Sequence, residues 1–316
     1  MRLGRRSPVT SDTASWETAR RVRHAPTGGS HVTEGRVQIE TDVVFGVGGG
    51  RDLRCDVYTP PGGAERAPAV ILVHGGAWRQ GDRTQLRGYG ILLGSEGYVC
   101  IAPEYRLTPE APWPAQIHDV KAAIRWVRAH ADRLGIDPER IAIEGNSAGA
   151  HLALLAAGTQ DVAAFEGEGG NPGVSTHVAA ALAIYPPTLF SAGPRERGAV
   201  PLLALTEEGD DEVARLAGPL SHVTADFPPT MLIHGTADET VPPLASIRMY
   251  EALVEAKVPV ELHMYADQPH AFDAQPAFGR QCAAEMLLFL DRYLVPGNDE
   301  SAAEVIAAVD AAPDVG

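Results

Sequence analysis

Residues Gly145-Asn146-Ser147-Ala148-Gly149 constrain this chain more than any other stretch. An apolar run, Ile141-Ala142-Ile143, precedes them, and a helix-forming run from His151 to Ala157 follows. A strand that passes through Gly-x-Ser-x-Gly into a helix has to turn sharply. The serine at the apex is expected at positive φ, and side chains in place of the flanking glycines would strike the strand or the helix. The turn lifts the Ser147 hydroxyl above the sheet. It also aims a helix N-terminus, where negative charge is favoured, at the same point. Taken alone, the pentapeptide can also be read as an ordinary glycine-rich helix start, so its partners decide.

The first partner lies upstream. Ala69-Val70-Ile71-Leu72-Val73 is a continuous apolar run, as expected of a strand buried on both faces. It leads into His74-Gly75-Gly76-Ala77-Trp78, which resembles the His-Gly-Gly-Gly-type oxyanion loop of lipases and esterases. Such a loop needs backbone N–H groups aimed into a cleft, with small residues that let a substrate oxygen come close. Gly76 and Ala77 are the expected donors, Gly75 a further candidate, and the Ala148 amide joins them from the Ser147 turn. The resembling loops carry a third glycine where Ala77 stands, and alanine takes up positive φ less readily.

The second partner lies downstream. Met231-Leu232-Ile233-His234-Gly235 reads as another buried strand, followed by a loop carrying Asp238. Val260 to Tyr265 reads as the next strand, followed by Asp267-Gln268-Pro269-His270. An acid and a histidine thus each sit just after a strand, in the chain order Ser147, Asp238, His270 of α/β-hydrolases. Asp267 and Glu239 are the alternatives to Asp238. Asp267 would have to reach back across a very short loop that Pro269 restricts.

Together these pieces resemble the α/β-hydrolase serine esterases of the hormone-sensitive-lipase-like and bacterial feruloyl or acetyl esterase-like group. The resemblance extends over roughly residues 40–295. It also takes in Tyr105-Arg106-Leu107-Thr108-Pro109-Glu110, Pro114-Ala115-Gln116-Ile117-His118-Asp119-Val120, Gly135-Ile136-Asp137-Pro138-Glu139-Arg140-Ile141 and Pro269-His270-Ala271-Phe272. It implies an α/β-hydrolase fold with a mostly parallel sheet flanked by helices. It also implies acyl transfer through Ser147, His270 and Asp238 on carboxylic esters, with no cofactor and no metal; short to medium acyl chains are expected because the segment 186–229 is proline-broken and acidic rather than a long apolar lid. The run Ser147 to Leu152 also resembles arylformamidases, which cleave an N-formyl group with the same triad. A ligand-binding member of the fold without catalysis would be expected to lack a triad residue.

The strand signals fall near 37–45, 53–59, 69–74, 98–103, 141–145, 179–185, 230–235 and 259–265. Helix signals fall near 85–96, 115–134, 147–158, 243–256 and 278–293. Alternation of this kind predicts right-handed crossovers in a mainly parallel sheet, with an antiparallel start. The segment 186–229 breaks the rhythm with Pro186-Pro187, Pro228-Pro229 and the acidic run Glu207-Glu208-Gly209-Asp210-Asp211, and reads as a cap inserted in a domain spanning 36–295. Trp78, Trp113 and Phe190 are candidate pocket walls, though each would serve equally as core packing. Residues 1–35 form a polar, arginine-rich leader without the apolar region of a secretory signal, either loosely attached or a lid around Trp16. Residues 296–316 form an acidic, Ala-rich tail.

Charge narrows the partners. The formal net charge is −15, which argues against nucleic acid and anionic membrane surfaces. No apolar stretch approaches the length of a membrane span. A small-molecule ester is the expected partner, and assembly as a homo-oligomer stays open. Cys55, Cys100 and Cys282 show no metal-ligand spacing and read as buried thiols of a reduced, cytoplasmic protein.

Overall fold

The computed structural model describes residues 35–108, 110–188, 190, 202 and 211–295. The expected leader and tail therefore lie outside the described residues, as does much of the 186–229 segment.

All eight expected strands form, and they join one sheet in the order β1-β2-β4-β3-β5-β6-β7-β8. β1 (Gln38–Gly48) and β2 (Arg51–Thr59) make an antiparallel hairpin. Its two-residue turn, Gly49-Gly50, sits at φ 60° and 81°, the handedness that suits the twist of the flanking strands. β2 also runs antiparallel to β4 (Val99–Pro103). From β4 through β3 (Ala67–Val73), β5 (Ile136–Asn146), β6 (Ala180–Ile184), β7 (Thr230–Gly235) and β8 (Val260–Tyr265) every pairing is parallel.

Helices lie on both faces, which is why the inner strands are apolar at every position rather than at every second one. On one face α1 (Arg87–Ser95) and α8 (Pro276–Leu294) pack against Val70, Leu72, Cys100, Leu182 and Met231. The opposite face is covered by α2 (Ala115–Ala129), α4 (Ala148–Gly158) and α7 (Leu244–Glu255), which pack against Ile71, Val73, Ile143 and Leu232. Residues 148–157 of α4 are all buried, so this helix needs no polar stripe and is apolar all round.

Two boundaries differ from expectation. The helix expected over 115–134 divides at His130 into α2 and a short α3 (Ala131–Leu134), closed by Gly135 at φ 67°. β5 starts at Ile136 rather than near 141, because Ile136 already pairs with Ala67 across a register shift. Two further short helices appear, α5 (Ala163–Glu166) and α6 (Asp211–Ala217), the latter inside the expected cap segment. No helix among the described residues is long and apolar enough to cross a membrane. Cys55, Cys100 and Cys282 are all buried and free, and burial pushes the thiols of Cys55 and Cys282 up to about 12.

Because β3, β5, β7 and β8 are parallel, the loops that follow them share one edge of the sheet. This is the edge where open α/β sheets gather their functional groups.

Candidate active site

The turn after β5 is as tight as its glycines demand. Ser147 has φ 52° and ψ −116° and stands as the N-cap of α4. A Cβ on Gly145 would lie 2.4 Å from Gly149 backbone atoms, and one on Gly149 would lie 1.9 Å from the Val73 carbonyl oxygen. The turn is held from outside too, by the Ser147 amide donating to the Ile184 carbonyl at 2.9 Å.

Ser147 Oγ lies 3.0 Å from His270 Nε2, and His270 Nδ1 lies 2.7 Å from Asp238 Oδ2. The carboxylate can only accept, so Nδ1 carries the proton and Nε2 is free to take one from the serine. Asp238 is buried, which works to raise its pKa. Hydrogen bonds from His234, His270 and the Val241 amide outweigh that and hold it well below the usual carboxylate range. His234 shares its Nε2–H between the Val241 carbonyl at 2.9 Å and Asp238 Oδ2 at 3.3 Å, and its Nδ1 accepts from Ser246 Oγ, 2.7 Å away. The amides of Thr240 and Val241 donate to the other Asp238 oxygen at 2.9 and 2.8 Å. Among the described contacts, neither Asp267 nor Glu239 reaches His270, and both side chains are exposed.

After β3 the chain enters three consecutive left-handed residues, Gly76 (φ 113°), Ala77 (φ 51°) and Trp78 (φ 58°). Ala77 thus takes up the conformation for which glycine is the easier residue. Gly76 cannot be replaced so simply, since a Cβ there would sit 2.0 Å from the Gln80 carbonyl oxygen. No hydrogen bond among the described residues uses the Gly76 or Ala77 amide. The Ala148 amide opens α4 and has no partner within its helix. Gly75 packs against the turn, where an added Cβ would lie 2.9 Å from the Asn146 carbonyl oxygen.

The motif around Tyr105 braces this loop. The Tyr105 ring stacks on His74 at 4.3 Å, and its hydroxyl donates to the His74 carbonyl at 3.0 Å. The Thr108 amide donates to the Trp78 carbonyl at 2.8 Å. Arg106 is in turn fixed by a two-pronged pairing with Asp119 of α2, both contacts 2.8 Å long. His74 donates Nδ1–H to its own neighbour, the Gly75 carbonyl, at 2.8 Å.

Trp78, Trp113 and Phe190 gather around His151, their ring centroids 5.2, 6.2 and 4.7 Å from the imidazole. None of the three lines the 520 Å³ cavity walled by Leu86, Tyr89, Asn146, Tyr185 and Ala271. His151 accepts from Trp78 Nε1 at 3.2 Å and donates Nε2–H to the Ala217 carbonyl at 2.7 Å.

The grouping of Tyr185, Asn146 and Tyr89 around Asp273 carried no signal in the sequence. Tyr185, at the end of β6, has φ 43° and lays its ring 4.5 Å from that of His270. Its hydroxyl donates to Asp273 Oδ1 at 2.5 Å, while Asn146 Nδ2 and Tyr89 Oη donate to Asp273 Oδ2 at 2.6 and 2.8 Å. One carboxylate therefore ties the residue before Ser147, the ring beside His270, and α1. Glu144 is fully buried, with both carboxyl oxygens unpartnered among the described residues. Burial, and then the nearby charge of Asp273, raise its pKa well above the carboxylate range. No group of His, Cys, Asp or Glu among the described residues is arranged to hold a metal ion.

A mostly parallel eight-stranded sheet with a serine, an acid and a histidine on loops at one edge defines an α/β-hydrolase. The BD-FAE family model matches residues 55–253, and the chain belongs to that family. It is similar to esterase LipC of Mycobacterium tuberculosis, 37% identical over 60% of this chain and 47% of LipC. It is likewise similar to the probable carboxylic ester hydrolase LipM of that organism, 35% identical over 72% of this chain and 54% of LipM. The chain thus spans about half the length of these curated relatives. Among solved structures, Thermogutta terrifontis esterase 2 phosphorylated by paraoxon superposes with a TM-score of 0.70 at 26% identity, covering 82% of this chain and 96% of that one.

Proposed function

We propose that the protein hydrolyses carboxylic esters of short to medium acyl chains through an acyl-enzyme on Ser147. The observation that carries this reading is the unbroken line from Ser147 Oγ through His270 to Asp238, with contacts of 3.0 and 2.7 Å. In this reading Ser147 attacks the ester carbonyl as His270 Nε2 takes its proton. The tetrahedral oxyanion receives the Gly76, Ala77 and Ala148 amides, with Gly75 a further donor, and removing one such donor typically slows catalysis about 10²–10³-fold. The imidazolium, steadied by Asp238, returns its proton to the leaving alkoxide. Water then repeats the sequence on the acyl-enzyme. The esterase and carboxylic ester hydrolase names of the relatives support the substrate class.

In the same reading the 186–229 segment is a cap over the site within a hydrolase domain of 36–295, and the three buried thiols suit a reducing cytoplasm. Preference for short acyl chains follows from a cap that is broken by prolines and acidic rather than long and apolar.

The test is covalent. A fluorophosphonate should add one adduct, mapped by peptide mass to Ser147. Ser147→Ala should abolish both the adduct and p-nitrophenyl butyrate turnover while leaving thermal unfolding unchanged. An adduct on another serine would overturn the assignment. Acceleration on emulsified long-chain triglyceride would overturn the chain-length reading.

A further inference from the structure

Ser147 and His270 lie 123 residues apart in sequence, on two loops that two links hold together. One link is the contact between Ser147 Oγ and His270 Nε2 at 3.0 Å. The other runs from Asn146 Nδ2, directly before the serine, to Asp273 Oδ2, three residues after the histidine, at 2.6 Å. We propose that Asp273 is a positioning residue for the second half of the reaction: with Tyr185 it keeps His270 in place while Ser147 carries the acyl group. The proposal rests on the reading of Ser147 as nucleophile and His270 as proton carrier, and adds to it a residue that the triad does not contain.

The need for a second link follows from the chemistry. Acylation bonds Ser147 Oγ to the acyl carbon, and the leaving alcohol carries off the proton that His270 took from the serine. His270 Nε2 is then neutral and bare, and the esterified oxygen has no hydrogen to give, so the 3.0 Å hydrogen bond is lost. Deacylation still requires the ring in place. A water attacks the acyl carbon as Nε2 takes its proton. The bond from that carbon to Ser147 Oγ then breaks, Nε2–H returns the proton to Oγ, and the carboxylic acid leaves. Through this half of the cycle Asp238 holds the imidazole by Nδ1 alone, a single contact about which the ring can swing.

Asp273 supplies what that contact lacks. Its carboxylate accepts from Asn146 Nδ2 and Tyr89 Oη at Oδ2, 2.6 and 2.8 Å away, and from Tyr185 Oη at Oδ1, 2.5 Å away. Asn146 Nδ2 also donates to Tyr185 Oη at 3.0 Å, which closes a ring of three side chains. Tyr185 lays its own ring 4.5 Å from the imidazole and takes φ 43°, an outlying conformation for a bulky residue that its surroundings must hold. Asp273 sits in the short 3₁₀ turn Phe272–Ala274. There α8 packs so closely that a Cβ on Gly279 would lie 2.6 Å from the Asp273 carbonyl oxygen. The carboxylate thus fixes the residue before the nucleophile, the ring beside the imidazole and the turn after it. None of these bonds involves Ser147 Oγ, so all of them outlast acylation.

Rapid-quench mass spectrometry with p-nitrophenyl trimethylacetate follows the acyl adduct on Ser147 and gives its rates of formation and decay separately. Displacing a reacting group by about 1 Å can cost about 10²-fold, so Asp273→Asn and Asp273→Ala should slow decay about 10–100-fold. Formation starts with the Ser147–His270 bond intact and should change about threefold or less. Asparagine offers one acceptor oxygen in place of two, and its amide nitrogen meets a donor. Alanine leaves a space that opens on the 520 Å³ cavity, whose wall includes Asn146, Tyr89 and Tyr185. Formate can enter there and accept from the same donors, so it should speed decay in Asp273→Ala about fivefold or more, whereas chloride at equal ionic strength should not. Tyr98→Phe is the control. The Tyr98 hydroxyl donates to Asp291 Oδ1 at 2.7 Å, a bond of the same kind between the residue before β4 and α8, so its loss should cost stability and leave both rates as they were. Formation and decay slowed alike by Asp273→Asn would make the residue merely structural and overturn the proposal, as would decay left at the wild-type rate. Failure of the underlying hydrolase reading looks different: the wild-type protein would form no adduct on Ser147.

Discussion

His270 Nδ1 meets Asp238 Oδ2 at 2.7 Å, whereas Asp267, only three residues before the histidine, is exposed and offers its amide to Thr236 Oγ1 at 2.8 Å. Asp267 is at φ 58°, where the loop turns, and among the described contacts its carboxylate makes none with the ring. An Asp→Asn change at the acid of such a triad preserves shape but favours the wrong tautomer, and in the serine-protease template it lowers kcat about 10⁴-fold. Asp238→Asn is expected to lower kcat by several orders of magnitude. Asp267→Asn should cost about tenfold or less, since it alters only exposed loop charge. Measuring kcat of both variants on one activated ester decides between them. A crippled Asp267→Asn with an active Asp238→Asn would reverse the assignment.

Gly149 tests the turn itself. Its missing Cβ would lie 1.9 Å from the Val73 carbonyl oxygen and 2.6 Å from that of His74, both backbone atoms that cannot step aside. Gly149→Ala must push α4 off β3, and overpacking of this kind costs about 3 kcal/mol or more against rigid backbone. Chemical denaturation should show that loss, with kcat falling as Ser147 moves off His270. Gly88→Ala is the control, because a Cβ there meets nothing within 4 Å and helix propensity alone favours it.

Much of this architecture was legible because it rests on local patterns. Runs such as Val70 to Val73 and Met231 to Ile233 announce strands buried on both faces, and the serine, acid and histidine each follow such a run. The network around Asp273 was not legible. Its partners Asn146, Tyr185 and Tyr89 lie 127, 88 and 184 residues away, and hydrogen bonds between distant side chains leave no periodic trace. The early start of β5 was not legible because a register shift against β3, invisible in propensity, sets it. Glu144 did leave a trace, a charged residue inside an apolar strand. Such local violations of pattern gather at functional sites.

Glu144 makes a pH prediction. Its folded pKa is raised well above 4.5 by burial and then by Asp273, so above pH 4.5 the unfolded chain releases a proton that the folded chain keeps. The native state binds more protons, and this residue's contribution to stability is therefore full below pH 4.5 and lost as pH rises. Glu144→Met removes the group and fits between Leu72 and Leu182, its register neighbours on β3 and β6. The stability advantage of the variant should widen by about 1.4 kcal/mol per pH unit inside that window. Urea midpoints of both proteins at pH 5 and 6.5 measure it. A constant difference would show that Glu144 is ionised in the fold.

His151 makes the opposite pH prediction and a catalytic one. Burial pushes its pKa down from 6.5 to about 4, partly countered by its bond to the Ala217 carbonyl. Between those two values the unfolded chain binds a proton that the folded chain refuses. Stability from this group is therefore present above pH 6.5 and lost as pH falls towards 4, about 3 kcal/mol in all. His151→Phe should lack that slope. It should also lose about 1–3 kcal/mol for each of the two groups it strands, Trp78 Nε1–H and the Ala217 carbonyl. Trp78 directly follows Ala77, whose amide is a proposed oxyanion donor, so a displaced indole should lower kcat more than it raises KM. His151→Asn separates the two effects. Its Oδ1 can still accept from Trp78 while its shorter side chain gives up Ala217, so it should keep most of kcat and still lose stability. Equal kcat losses in the two variants would assign the effect to the α6 contact rather than to the oxyanion loop.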